Sequence, residues 1–206
     1  MTIVVAASDE QWNELNRSGT NINWQRVSDA KDFDQHANAD VFFSLNNHTI
    51  LPAFGSLNKP VLINSVVASL ADLQAPENVL RINGWATFLK RTVWEVAGHV
   101  DEHINALFRA LNIKINIVKD EPGFISARVI AMIINEGYFA VEDNVSSKDE
   151  IDTAMKLGTN YPYGPFEWVK MIGIKNIAAL LQKLNASDSR YQPSALLIKE
   201  ATADNS

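Results

Sequence analysis

The sequence predicts an α/β domain on a parallel, doubly wound sheet, followed by an all-α domain. Three observations carry this. Short apolar runs alternate with helical patterns up to about residue 119. Strand patterns stop at Asp120-Glu121-Pro122-Gly123. Beyond that point apolar residues recur at helical spacing. The expected domains are therefore 1–119 and 120–206.

The elements follow in order. Thr2–Ala6 is an unbroken apolar run, as a buried strand requires. Ser8-Asp9-Glu10-Gln11 is a capping box, with Ser8 as N-cap and Gln11 reaching back to open a helix. Asn23–Val27 reads as a second strand. Asp29–Ala37 carries Ala30, Phe33 and Ala37 at helical spacing. Asp40–Leu45, Pro60–Asn64, Val79–Ile82 and Thr92–Val96 read as strands, and a helix over Asp101–Leu111 feeds another at Ile113–Val118. In the second half, Gly123–Asp143 forms one long helix. Its expected core stripe is Ile125, Val129, Met132, Ile133 and Ala140. Ile130, Ile134 and Tyr138 lie off that stripe and suit an interface or a second core contact. Ser147-Lys148-Asp149-Glu150 is a second capping box, with Gly158 as the stop of its helix. Pro165 opens a third helix ending at Gly173. Ile174–Leu184 is a fourth, and Ala201–Ser206 is expected to fray.

Composition limits the function classes. A net charge of −6, with no basic patch, argues against nucleic acid as a partner. The chain has no cysteine, which excludes disulfides and thiol catalysis. No run approaches the roughly 18 apolar residues of a membrane span. Thr2–Ala6 is too short for a signal peptide, so a cytoplasmic protein is expected.

The second half carries a long ordered set of matches. They are Val118-Lys119-Asp120-Glu121-Pro122-Gly123-Phe124-Ile125, then Lys148 through Gly158, then Tyr161-Pro162-Tyr163-Gly164-Pro165-Phe166-Glu167. Arg190-Tyr191-Gln192-Pro193-Ser194 with Leu196-Leu197 completes the set. This half resembles the helical C-terminal domain of 3-hydroxyacyl-CoA dehydrogenases. The first half resembles a shortened form of that family's Rossmann-like nucleotide-binding domain. The matching segments are Ala39-Asp40-Val41, Asn64 through Leu70, and Arg81-Ile82-Asn83-Gly84 through Glu95-Val96.

The resemblance implies NAD as cofactor, a 3-hydroxyacyl-CoA as substrate, and a homodimer through the helical domain. The residues depart from it at the chemistry. The family's glycine-rich turn lets backbone amides approach the pyrophosphate. Here Ala6, Ala7 and Ser8 replace it, and Asp9 and Glu10 repel an anion, so no cofactor is expected. The stretch before Asp40 is shortened, leaving little room for the strand that bears the ribose-binding acid. The family's general-base His falls at or next to Ala86, its Ser at Val66, and its Asn at Ala127. Glu95 keeps the position of the residue that orients the His. It is a vestigial catalytic candidate, and the reading preferred for it is a residue that caps or pairs with a neighbour.

Candidates for contact with a substrate are Asn64, Trp85, Pro162, Tyr163 and Phe166. The last three either line an acyl pocket or position a helix. Trp85 and Trp94 either fill the volume of the lost ligands or stack on a new one. His99-Val100-Asp101-Glu102-His103 has zinc-peptidase spacing, but the segment aligns with an exposed connection, and no metal is expected. His36 and His48 fall in polar loops. The reading is a family protein with impaired catalysis that binds an acyl-CoA-like ligand or a protein partner. The alternatives are an NAD-dependent 3-hydroxyacyl-CoA oxidoreductase of fatty-acid metabolism with an unusual cofactor site, and a structural dimerisation module.

Overall fold

The computed structural model describes residues 1–15, 21–46 and 50–204. His48 lies outside them. Seven strands form one sheet in the order β2-β1-β3-β4-β5-β6-β7. They are β1 (Thr2–Ala6), β2 (Asn23–Val27), β3 (Val41–Ser44), β4 (Val61–Asn64), β5 (Val79–Ile82), β6 (Val93–Ala97) and β7 (Lys114–Ile117). The order reverses between β1 and β3, both parallel, which makes their carboxyl ends a topological switch point. The sheet is not wholly parallel as expected: β6 runs against β5, with Arg81 opposite Ala97 and Ile82 opposite Val96. The 83–92 connection is shorter than the roughly dozen residues a parallel crossover takes, so the chain turns back.

Alternate side chains of each central strand enter opposite faces. Ile3, Val5, Phe43, Leu62 and Leu80 pack beneath α1 (Asp9–Leu15) and α2 (Glu102–Ala110). Val4, Ala6, Phe42, Val61 and Ile63 pack on the other face against Phe33 and Phe54. Both faces are covered, which is why these strands read as continuous apolar runs. β2 is present despite the shortened stretch before Asp40, paired with β1 from Thr2–Asn23 to Ala6–Val27. An edge strand needs only one neighbour. The Asp29–Ala37 pattern forms a 3-10 turn, Ala30–Gln35, whose N-cap Asp29 accepts from the Lys31 N–H at 2.9 Å.

The second unit is all helical: α3 (Ser126–Glu142), α4 (Lys148–Thr159), α5 (Pro165–Ile172), α6 (Ile174–Asn185) and α7 (Ala195–Ala203). The chain divides into Met1–Phe124 and Ile125–Ser206. This boundary falls after residue 119 because Asp120 and Gly123 bond back to the sheet unit.

Helix α3 reverses the expected faces. Ile130, Ile134 and Tyr138 are buried with Ala127, Ala131, Asn135 and Gly137. Ile125 and Val129 are instead 56% and 53% exposed. The buried face carries the small residues, and small residues let helices approach closely: Pro165 and Phe166 reach to within 3.5 Å of where a Gly137 Cβ would stand. Its buried Tyr138 and Asn135 are bonded. Tyr138 Oη donates to Glu200 at 2.8 Å, and Asn135 donates to Gln192 O and accepts from Ser194 N–H, each at 2.9 Å.

Two further readings are corrected. The tail is helical through Ala203, because Ser194 caps α7 and Leu197 is buried. Gly158 does not stop α4; Asn160, in the left-handed conformation, does. Gly158 is an exposed position in the last turn of α4, with nothing within 4 Å of an added Cβ. Gly158→Ala is therefore expected to raise stability by about 1 kcal/mol in urea unfolding. A fall in the midpoint would contradict this placement. Among the described residues, no helix is long and apolar enough to cross a membrane.

Candidate functional site

The switch point is where an open α/β sheet holds a ligand, and here it is closed by a ring of hydrogen bonds. Ser8 and Gln11 form the expected box: Ser8 N–H donates to Gln11 Oε1 at 3.1 Å, and Gln11 N–H to Ser8 Oγ at 3.2 Å. The Gln11 amide then reaches past the helix. Its Nε2 donates to Leu45 O, just after β3, at 2.9 Å, and to Gly84 O, just after β5, at 3.0 Å. Asn64, at the end of β4, completes the ring. Its Nδ2 donates to Leu45 O at 3.1 Å and its Oδ1 accepts from Gly84 N–H at 3.0 Å. Gly84 thus has both backbone groups committed, and a Cβ there would come within 2.7 Å of Asn64 Cβ.

The turn Ala6-Ala7-Ser8 is covered from the β2 side. Arg26 pairs with Asp9 at 2.7 Å and donates to Ala7 O at 2.8 Å, with its guanidinium 5.8 Å from the Trp12 ring. Helix α1 has seven residues, and its first turn carries two carboxylates, Asp9 and Glu10, which complement the helix N-terminus themselves.

One turn on from Gln11, Glu14 docks the same loop: its Oε1 accepts from Thr87 N–H at 2.5 Å. Thr87 is buried with φ +78°, a conformation a β-branched residue adopts only when held. Its neighbour Ala86 is half-buried. Trp85 is buried, with its N–H donating to Asn83 Oδ1 at 3.2 Å. Glu95 lies on β6 near Arg91. Burial pulls the Arg91 guanidinium below its ordinary pKa, and the charges of Glu95 and Glu14 oppose that shift. Trp94 is core, packed with Phe43 and Phe108 at 6.3 and 5.9 Å, and its indole N–H donates to Arg91 O. Val66 is also buried.

In the helical unit, Phe166 points inward. Its N–H donates to the buried Asp152 carboxylate at 2.7 Å, and its ring meets Tyr138 at 5.1 Å. Tyr163 and Tyr161 pack on Trp168 at 6.1 and 5.8 Å, and Pro162 is exposed. Ala127 is fully buried. The exposed stripe of α3 lines a groove of about 650 Å³ with Ile151 and Met155 of α4, bordered by Arg128, Glu136 and Tyr191. The His string is split: His99 precedes the N-cap Asp101, so it does not sit one helical turn from His103, and both are exposed. His36 Nδ1 lies 3.1 Å from Gln25 Oε1.

The structure therefore joins Asn64 to the loop that carries Trp85, and places Tyr163 and Phe166 on divergent sides of Gly164-Pro165. The sequence reading saw Gln11 only as a cap and passed over Glu14, Arg26 and Thr87. The three-residue spacing of Gln11 and Glu14, which puts both on one face of α1, was the available signal.

Residues 123–205 match the family model described as 3-hydroxyacyl-CoA dehydrogenase, C-terminal domain. The helical half belongs to the 3-hydroxyacyl-CoA dehydrogenase family. Over 90 residues it is 42% identical to the 3-hydroxyadipyl-CoA dehydrogenase of Escherichia coli (strain K12), covering 43% of this chain and 19% of that protein. Over 88 residues it is 39% identical to a probable 3-hydroxybutyryl-CoA dehydrogenase of Bacillus subtilis (strain 168), covering 42% of this chain and 31% of that one. The matched stretch thus spans under a third of each relative. The fold likeness reaches further. A crystal structure of the (S)-3-hydroxybutyryl-CoA dehydrogenase of Ralstonia eutropha aligns over 98% of this chain and 93% of its own, with a TM-score of 0.73 and 17% identity. That likeness extends the dehydrogenase architecture, a Rossmann-like sheet followed by the helical domain, to the α/β unit as fold.

Proposed function

We propose that this member of the dehydrogenase family has left hydride chemistry and works by binding, as a cytoplasmic homodimer that holds an acyl-CoA-like ligand or a protein partner. The observation that carries the reading is the ring of Gln11, Leu45, Asn64 and Gly84 across the switch point. A pyrophosphate needs free backbone amides and open space there. The ring and the Arg26–Asp9 pair supply neither, so the residues present do not fit NAD. Ala86 supplies no general base. The near-complete sheet order and its likeness to a whole dehydrogenase favour the second reading, an NAD-dependent oxidoreductase with an unusual cofactor site.

One experiment separates them. Melting is followed for the chain alone, with NADH, and with acetoacetyl-CoA or free CoA. A ligand of the native state stabilises it by about 2.7 kcal/mol at a hundred times its Kd. No shift with millimolar NADH and a rise with the CoA ligand are expected. A clear rise with NADH overturns the proposal, and no response to any of them moves the reading to a structural dimerisation module.

The exposed stripe of α3 supports the homodimer. A two-fold contact pairs each residue with its mirror partner along the helix. With the axis at Met132, antiparallel α3 helices set Arg128 of each copy against Glu136 of the other and cover Val129 and Ile133. Met132→Glu is expected to shift the sedimentation coefficient to that of a monomer with the fold intact. An unchanged dimer removes this interface.

A further inference from the structure

Arg81 on β5 is fully buried, and every donor of its guanidinium is used. Nε donates to Ser65 O at 2.8 Å. Nη1 pairs with Asp120 Oδ1 at 2.5 Å and reaches Glu121 O at 3.4 Å, and Nη2 reaches Val66 O and Glu121 O at 3.4 Å each. The Phe124 ring lies 4.7 Å from the guanidinium carbon. Asp120 also accepts from the Leu70 and Ala71 amides at 3.0 and 3.3 Å, and Gly123 N–H donates to Val66 O at 2.7 Å. Two stretches of chain, 65–71 and 120–124, are therefore tied to one cation, and to each other through the Asp120 carboxylate and the Gly123–Val66 bond. Gly123 and Phe124 both sit at positive φ, +87° and +50°. For Phe124 that conformation is unfavourable, so the segment relaxes once its ties are cut.

We propose that Arg81 is the anchor of a strap: it holds residues 119–124 against the loop after β4, and cutting the tie opens both together while the sheet stays folded. This stands independently of the functional reading. Sheet strands and their surface straps open with separate free energies when the ties between them are few. Here Arg81 and Asp120 are most of the ties.

The test compares the full chain with Arg81→Met and Asp120→Asn, by amide exchange and by trypsin, which cuts after the exposed Lys119. Expected in both variants is faster exchange at Leu70, Ala71 and Gly123 in step, by roughly tenfold or more, with β1 and β3 amides unchanged and cleavage after Lys119 faster in proportion. Exchange at those three amides that stays at the wild-type rate in Asp120→Asn overturns the proposal. So does an acceleration shared equally by β1 and β3. If Arg81→Met does not fold, Asp120→Asn, which keeps the side-chain shape while removing the counter-charge and one of its two acceptors, decides on Gly123, whose amide Asp120 does not touch.

Discussion

Gly164→Ala is expected to cost roughly 3 kcal/mol or more, enough to unfold a marginal helical unit. The backbone at Gly164 is ordinary, with φ −75°. Space is the constraint: an added Cβ would stand 2.5 Å from Asp152 Cα and collide with its carboxylate. Neither can yield, because Asp152 is fixed in α4 and its carboxylate holds the Phe166 N–H at the start of α5. Moving it strands a buried amide as well as a buried charge. Urea unfolding of Gly164→Ala beside Gly158→Ala makes the comparison internal, since the same change in the same region should destabilise at one site and stabilise at the other. A loss under 1 kcal/mol for Gly164→Ala would show that α4 and α5 can separate freely, and the account of Phe166 as a core residue would fall with it.

Asn64→Ala is the second large effect, about 2–3 kcal/mol from a buried amide left without partners. Gly84 N–H loses its acceptor and Leu45 O one of its two donors. Asn64→Asp makes the test specific. It keeps the acceptor for Gly84 but sets a carboxylate against Leu45 O, so it is destabilising at neutral pH. Protonation restores a donor, so its deficit relative to wild type should shrink as pH falls. A deficit independent of pH, or a neutral Asn64→Ala, would mean that the ring does not hold the switch point closed.

The strands were legible because burial on both faces leaves continuous apolar runs, and the two capping boxes because their side chains bond locally. What lay beyond reading was relational. Periodicity marked two apolar stripes on α3, but which turns inward depends on the small residues Ala127, Ala131 and Gly137 meeting other helices. Gln11 announced a cap, but its bonds to Leu45 and Gly84 span 34 and 73 residues. Gly158 and Gly164 look alike in sequence and differ only in what stands beside them. The resemblance implied where chemistry should sit, at Ala86 and Val66. It could not show what fills the space.

Because β6 reverses, the 83–92 segment leaves and re-enters the sheet on the same edge. Such a segment is a hairpin in connectivity, although Trp85, Thr87, Phe88 and Leu89 within it are buried. Its exposed residues can change without reordering a strand or re-threading a helix, as long as the buried ones keep their packing and Gly84 and Thr87 their moorings to α1 and β4. Change at the exposed positions of the loop can therefore accumulate by single steps while the fold is kept.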